Sequence, residues 1–247
     1  MFKKNSKKIV EQITFATKYK KIILTACALL VITIILGAGI YSVIAKNQTK
    51  TQAKKDAKLT KNSVLLFEVP GDIVLGDKNA TITIIEYASL SCPHCANFYN
   101  NVFEKIKKQY IDTNKVKFIY RDFPLNQSAL LASIISNCRA KNEDANKYYT
   151  FIKVLFKTQD SWAFSENFFE KLRSIAILDG MSSAQFDACA HDQKIVEDIL
   201  AKRLKASKEL TIDSTPTFII NGKKFENNHE FDKFKEIINN ELKSKNK

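Results

Sequence analysis

A compact run of apolar and β-branched residues, Ile82–Ala88, leads through Ser89-Leu90-Ser91 into Cys92-Pro93-His94-Cys95. The run reads as a buried strand. Pro93 fits the first position of a helix, where its missing N–H costs nothing. A C-x-x-C pair at a strand-to-helix junction constrains the chain to an α/β unit, and such a pair is a redox motif.

The local physics gives the sulfurs different work. Cys92 stands at the helix N-terminus, where orphan amides and the positive dipole end favour a thiolate. Cys95 lies one turn deeper, within bonding reach. Cys92 is expected as the exposed, attacked sulfur and Cys95 as its buried partner. His94 adds a donor or a positive charge beside Cys92. Stabilising the thiolate stabilises the dithiol form, which makes the disulfide a stronger oxidant. Zinc is a competing reading, but one C-x-x-C supplies only half of the four ligands of a structural site. His191 and His229 are single and remote in sequence. A purely structural disulfide is another, and Pro93 at the junction speaks against it. Dithiol exchange calls for no metal and no cofactor.

Around this junction the pattern alternates. Val64–Val69 is expected as a short strand, followed by turns at Pro70-Gly71-Asp72 and Gly76-Asp77. After Cys95 a helix reaches about Tyr110, with Phe98, Val102, Ile106 and Tyr110 on one stripe. Lys115–Tyr120 is the next strand. Residues 126–209 are helical throughout, with Ser182 and Gln185 at capping-box spacing and Ile195, Ile199 and Leu204 in a last helix. Thr217–Ile220 and Lys223–Glu226 flank the hairpin signal Asn221-Gly222. Phe231, Phe234, Ile238 and Leu242 line a terminal helix. A helical block between two strand-bearing halves points to an insertion into an α/β core. Trp162, Phe164, Phe168 and Phe169 read as insert core, His191 and His229 as surface residues, and Asn227-Asn228 as a loop or cap.

The net charge of +13 would suit nucleic acid, but residues 1–61 hold 13 Lys against 2 acidic residues. From residue 62 onward, 26 Lys plus Arg face 24 Asp plus Glu, which leaves no basic patch to track phosphates and no nucleic-acid partner. The 35 Lys against 4 Arg suggest an AT-rich genome.

Ile22–Ala45 is a run of 24 residues without a charge, preceded by lysines. About 20 apolar residues span a bilayer's hydrocarbon core, and the lysines suit a cytoplasmic N-terminus. The run is either an uncleaved signal anchor or a signal peptide, with Val43 and Ala45 as small side chains for processing. Cys27 follows Leu24-Thr25-Ala26, but the apolar run comes after it, the reverse of a lipoprotein box. Asn47–Asn62 reads as a solvated tether. The expected organisation is 1–45 as N-region and membrane segment, 46–62 as tether and 63–247 as the folded domain. Both membrane readings put that domain where disulfides persist. Its even set, Cys92, Cys95, Cys138 and Cys189, favours two of them.

The segment Ile84-Ile85-Glu86-Tyr87-Ala88-Ser89-Leu90-Ser91-Cys92-Pro93-His94-Cys95 resembles the active-site strand and helix of DsbA-type thiol–disulfide oxidoreductases. Cys-Pro-His-Cys is that family's usual tetrapeptide. The resemblance covers roughly residues 64–243 and implies a thioredoxin fold with an inserted all-helical domain, a periplasmic location and an alphaproteobacterial source. It further implies that Glu86, six before Cys92, is a buried acid relaying a proton for Cys95. A buried carboxylate is costly and its pKa should rise. An outward-facing strand Glu remains the alternative, because Ile84, Ile85 and Tyr87 do not settle its face. The resemblance implies a cis-proline at Thr215-Pro216, packed against the disulfide and beside an edge that pairs with substrate. An X-Pro bond is otherwise usually trans. Thr before this proline is commoner in isomerase relatives. Relatives can carry a second disulfide in the insert, which would join Cys138 to Cys189; two buried free thiols are the alternative.

The function so implied is oxidation of dithiols in exported proteins. The expected partners are unfolded exported proteins with reduced cysteines, a DsbB-like membrane reoxidant, and the inner membrane through Ile22–Ala45 if that run is uncleaved. An isomerase or reductase on the same scaffold is the alternative. A tethered chaperone without redox turnover is another, and it requires Cys92→Ser to leave function intact.

Overall fold

The computed structural model describes residues 63–141, 144–225 and 230–245. The membrane run Ile22–Ala45, Cys27, the tether, Asn227, Asn228 and His229 lie outside the described residues. Among those described, no helix is long and apolar enough to cross a membrane.

Five strands form one sheet in the order β1-β3-β2-β4-β5. They are β1 (Val74–Leu75), β2 (Ile82–Ala88), β3 (Val116–Asp122), β4 (Thr217–Ile220) and β5 (Lys223–Phe225). β2 is central, parallel to β3 and antiparallel to β4. That placement explains its composition, because a strand covered on both faces is apolar at successive positions.

Side chains of β2 alternate between two cores. Ile84 and Ala88 enter the larger one with the helices that follow, whereas Ile85 and Tyr87 enter a smaller one with Leu65, Leu66, Ala206 and Leu210. Glu86 therefore points to the larger core, the side of the cysteine helix.

Helix α1 opens at Pro93–Phe98 and continues through a π-helical turn, Tyr99–Phe103, an α turn, Glu104–Ile106, and a second π turn, Lys107–Ile111. The wide turns explain the stripe of residues four apart. In a pure α-helix that stripe drifts round the axis; here Phe98, Val102, Ile106 and Tyr110 all stay buried. Beyond β3 the insert comprises α2 (Gln127–Ala140), α3 (Ala145–Lys157), α4 (Gln159–Trp162), α5 (Phe168–Leu178), α6 (Ser183–Ala190) and α7 (Gln193–Leu210). α6 carries the capping box of Ser182 and Gln185. α7 ends at Thr211, whose φ of 53° turns the chain back toward the sheet. α8 (Phe231–Lys245) closes the domain.

Several expectations need correction. Val64–Leu66 is a 3₁₀ turn and Val64–Val69 forms no strand. The Arg121 guanidinium takes the carbonyls of Leu65 and Phe67, each at 2.6 Å, where a neighbouring strand would have bonded. The edge strand is Val74–Leu75 instead. Leu204 is 52% exposed. The face opened by Ile195 and Ile199 continues through Ala206 and Leu210, as the helical period requires. Phe164 is 69% exposed although Trp162 beside it is fully buried. The hairpin stands where Asn221-Gly222 marked it, with φ of 47° and 80°, as a type I′ turn demands.

Candidate active site

The site is assembled by the junction of β2 with α1, the start of β4 and one turn of the insert. Glu86 pairs in register with Tyr120 on β3 and Phe218 on β4. α1 lies over this point: the Phe98 ring is 4.7 Å from that of Phe218, and the Tyr99 ring 6.4 Å from that of Tyr120. Glu86 is thus roofed by the cysteine helix, with 0% exposure and both carboxyl oxygens lacking hydrogen-bond partners. Burial, and then the charge of Cys92, push its pKa well above the ordinary carboxylate range.

Cys92 is the N-cap of α1 and Pro93 its first residue. The Cys92 amide donates to Ser89 O at 3.0 Å, which closes the turn out of β2. Cys92 Sγ donates to the carbonyl of Thr215 at 3.2 Å. The Thr215-Pro216 bond is cis, and Pro216 is buried. The Thr215 hydroxyl is buried.

The two thiols separate electrostatically. Cys92 is lowered to about 5, chiefly by the Cys95 thiol donating to it; the Thr215 side chain and the backbone amides of Cys95 and His94 add to this, against burial. Cys95 moves the other way, raised by burial, by its hydrogen bond to Cys92 and by the charge of Glu86. At neutral pH the pair therefore holds one thiolate, on Cys92, and one thiol.

Two sequence expectations shift in detail. Cys92 is only 4% exposed, so the sulfur expected to be open to attack is largely covered. The His94 side chain is exposed, and its contribution to Cys92 comes from its backbone amide.

Sequence reasoning missed two further residues. Tyr99, one turn beyond Cys95, is 1% exposed with its hydroxyl unpartnered, in the same buried layer as Glu86. Burial raises its pKa, and the charges of Glu86 and Cys95 add to the rise. Tyr99 lies outside the stripe of Phe98, Val102, Ile106 and Tyr110, and no sequence signal marked it. Gln159, on the insert's α4, donates from Nε2 to Leu90 O at 2.8 Å and to Cys92 O at 3.0 Å. Nothing local marked it.

Cys138 and Cys189 are joined as a disulfide between α2 and α6, with Cα atoms 5.7 Å apart. Cys189 is a buried member of the main core and Cys138 packs against it. Among the described residues, no cluster of His, Cys, Asp and Glu is arranged to hold a metal.

Residues 68–240 match the thioredoxin family. The crystal structure of Wolbachia pipientis alpha-DsbA1 superposes with a TM-score of 0.67 at 37% identity, over 71% of this chain and 93% of that one. Oxidised BdbD of Bacillus subtilis superposes with a TM-score of 0.64 at 26% identity, over 71% of this chain and 95% of that one. A Rickettsia typhi relative, provisionally named a protein-disulfide oxidoreductase, is 31% identical over 206 residues, 81% of this chain and 75% of its own length.

Proposed function

The chain belongs to the thioredoxin family as a DsbA-like protein-disulfide oxidoreductase, and from that premise we propose that it oxidises dithiols of exported proteins in the periplasm. The observation that carries this direction is the placement of the pair: Cys92 caps the N-terminus of α1, where a thiolate is favoured, and Cys95 lies fully buried, where a thiol is favoured. A stabilised thiolate makes the dithiol state the favoured one and the disulfide the electron acceptor.

In the proposed cycle a substrate thiolate attacks Cys92 Sγ of the Cys92–Cys95 disulfide. The Cys95 sulfur leaves with the electron pair and takes a proton from the Glu86 carboxyl. The substrate, now bonded to Cys92, lies along the Thr215-Pro216 edge. A second substrate thiolate attacks the substrate sulfur of the mixed disulfide and expels Cys92 as a thiolate. Two electrons have then passed to the enzyme, and the substrate holds a disulfide. A DsbB-like membrane partner would reoxidise the pair. Ile22–Ala45, as anchor or signal peptide, and the tether through residue 62 would deliver residues 63–247 across the membrane.

The test is stoichiometric oxidation of a reduced, unfolded two-cysteine protein by the disulfide form. Fast transfer, lost in Cys92→Ser, supports the reading. A potential near thioredoxin's, about −270 mV, would assign the protein to reduction instead. Isomerisation is the second reading, favoured by Thr215 before the cis-proline, a residue commoner there in isomerase relatives. It requires the reduced form to reshuffle a scrambled substrate faster than the disulfide form oxidises a reduced one.

A further inference from the structure

The Gln159 side chain is 3% exposed, and both hydrogens of its amide are committed, to Leu90 O and Cys92 O. These carbonyls alternate along the loop that joins β2 to α1. The Cys92 oxygen also accepts the Ala96 amide at 3.1 Å, the opening bond of α1. The turn bearing Gln159 is itself held: Gln159 O accepts from Ala163 N at 2.9 Å, and the buried Trp162 donates from Nε1 to Leu155 O at 3.1 Å. Gln159 thus reaches from a rigid turn of the insert to the cysteine loop, 67 residues away in sequence.

We infer that Gln159 is a positioning residue, through which the helical insert sets the orientation and reactivity of Cys92. The inference rests on Cys92 being the attacked sulfur. A carbonyl oxygen is the negative end of a dipole, and those of Leu90 and Cys92 lie in the chain beside a sulfur that must carry negative charge. Two N–H groups spent on them offset that field where the local dielectric is low. The same bonds fix the peptide planes so that the amides of His94 and Cys95 converge on Sγ.

Two variants separate this role from packing. Gln159→Met keeps length and volume but deletes both donors. Gln159→Glu keeps the shape and turns donors into acceptors. Thiolate absorbance of the reduced protein gives the Cys92 pKa, and titration against glutathione gives the redox equilibrium. The pKa is expected to rise by about half a unit to one unit in Gln159→Met, and further in Gln159→Glu. The equilibrium constant should move about three- to tenfold toward the disulfide form. A packing role predicts that Gln159→Glu behaves like the parent. If the parent shows the low Cys92 pKa and both variants share it, the inference is overturned while the proposed function stands. A parent without the low pKa removes the proposed function first. Should the variants fail to fold, the parent's own Gln159 side-chain amide protons decide by nuclear magnetic resonance. Protection from exchange and a shift between redox states support the inference; free exchange in both states overturns it.

Discussion

Cys92 Sγ and the carbonyl oxygen of Thr215 lie 3.2 Å apart across 123 residues of sequence. That contact joins the helix that activates the sulfur to the strand edge proposed to hold the substrate. The low pKa of Cys92 follows from this site as a whole. In the reduced protein, the alkylation rate of Cys92 should be flat above about pH 6 and fall as the thiolate protonates near pH 5. The folded pKa is depressed, so its contribution to stability is complete above the unfolded thiol's pKa of about 8.5 and is lost as pH falls through about 5. Within that window the reduced form gains about 1.4 kcal/mol per pH unit over the disulfide form. Denaturant titration of both forms at several pH values reads this directly.

Glu86 has the opposite sign. Its folded pKa is raised, so the stability linked to it is present below the ordinary carboxylate pKa and is lost as pH rises toward the folded value. Glu86→Gln should leave the unfolding midpoint unchanged near pH 4 and stabilise the protein at pH 7 by about 1 to 3 kcal/mol. The same variant should slow exchange at neutral pH, because Cys95 loses its proton source. A stabilised variant with unaltered exchange kinetics would remove Glu86 from the cycle.

Arg121 fastens the segment before β1 to the sheet. Its guanidinium bonds Asp72 Oδ1 at 3.0 Å and Oδ2 at 2.7 Å, Tyr87 Oη at 2.6 Å, and the carbonyls of Leu65 and Phe67. Both charged side chains are nearly covered, at 10% and 8% exposure. Arg121→Ala leaves Asp72 buried and unpaired, at a cost of about 3 to 5 kcal/mol. Arg121→Ala with Asp72→Ala should recover part of that loss in a double-mutant cycle. Limited proteolysis should cut the single variant first between residues 63 and 73.

The Cys138–Cys189 bridge closes a separation of 51 residues within the insert. Replacing both cysteines by Ala should cost about 2 to 4 kcal/mol. The Cys92 titration should be unmoved, since the proposed exchange does not use the bridge. A shifted Cys92 pKa in this variant would show that the bridge tunes the site after all.

The legible parts were those with a local cause. Ile82–Ala88 announced a buried strand because both its faces are covered. Cys92-Pro93-His94-Cys95 announced a helix start because proline and the orphan amides act within a few residues. Asn221-Gly222 announced a hairpin because few residues accept its backbone angles. Val64–Val69 misled because an arginine from β3 claims its carbonyls, and no pattern within the segment records that. Leu204 and Phe164 misled because apolar character does not say which way a side chain faces.

From the sequence alone came a redox pair at a βα junction, an α/β core with a helical insert, and a charge-free run ahead of a near-neutral domain. These follow from periodicity, backbone preference and charge, all of which act over a few residues. Only the tertiary structure decided which face Glu86 takes, that Thr215 meets Cys92, and that Gln159 holds the cysteine loop. Those contacts join residues far apart in the chain, and only folding brings a buried acid, a strand edge and an insert amide to one cysteine pair.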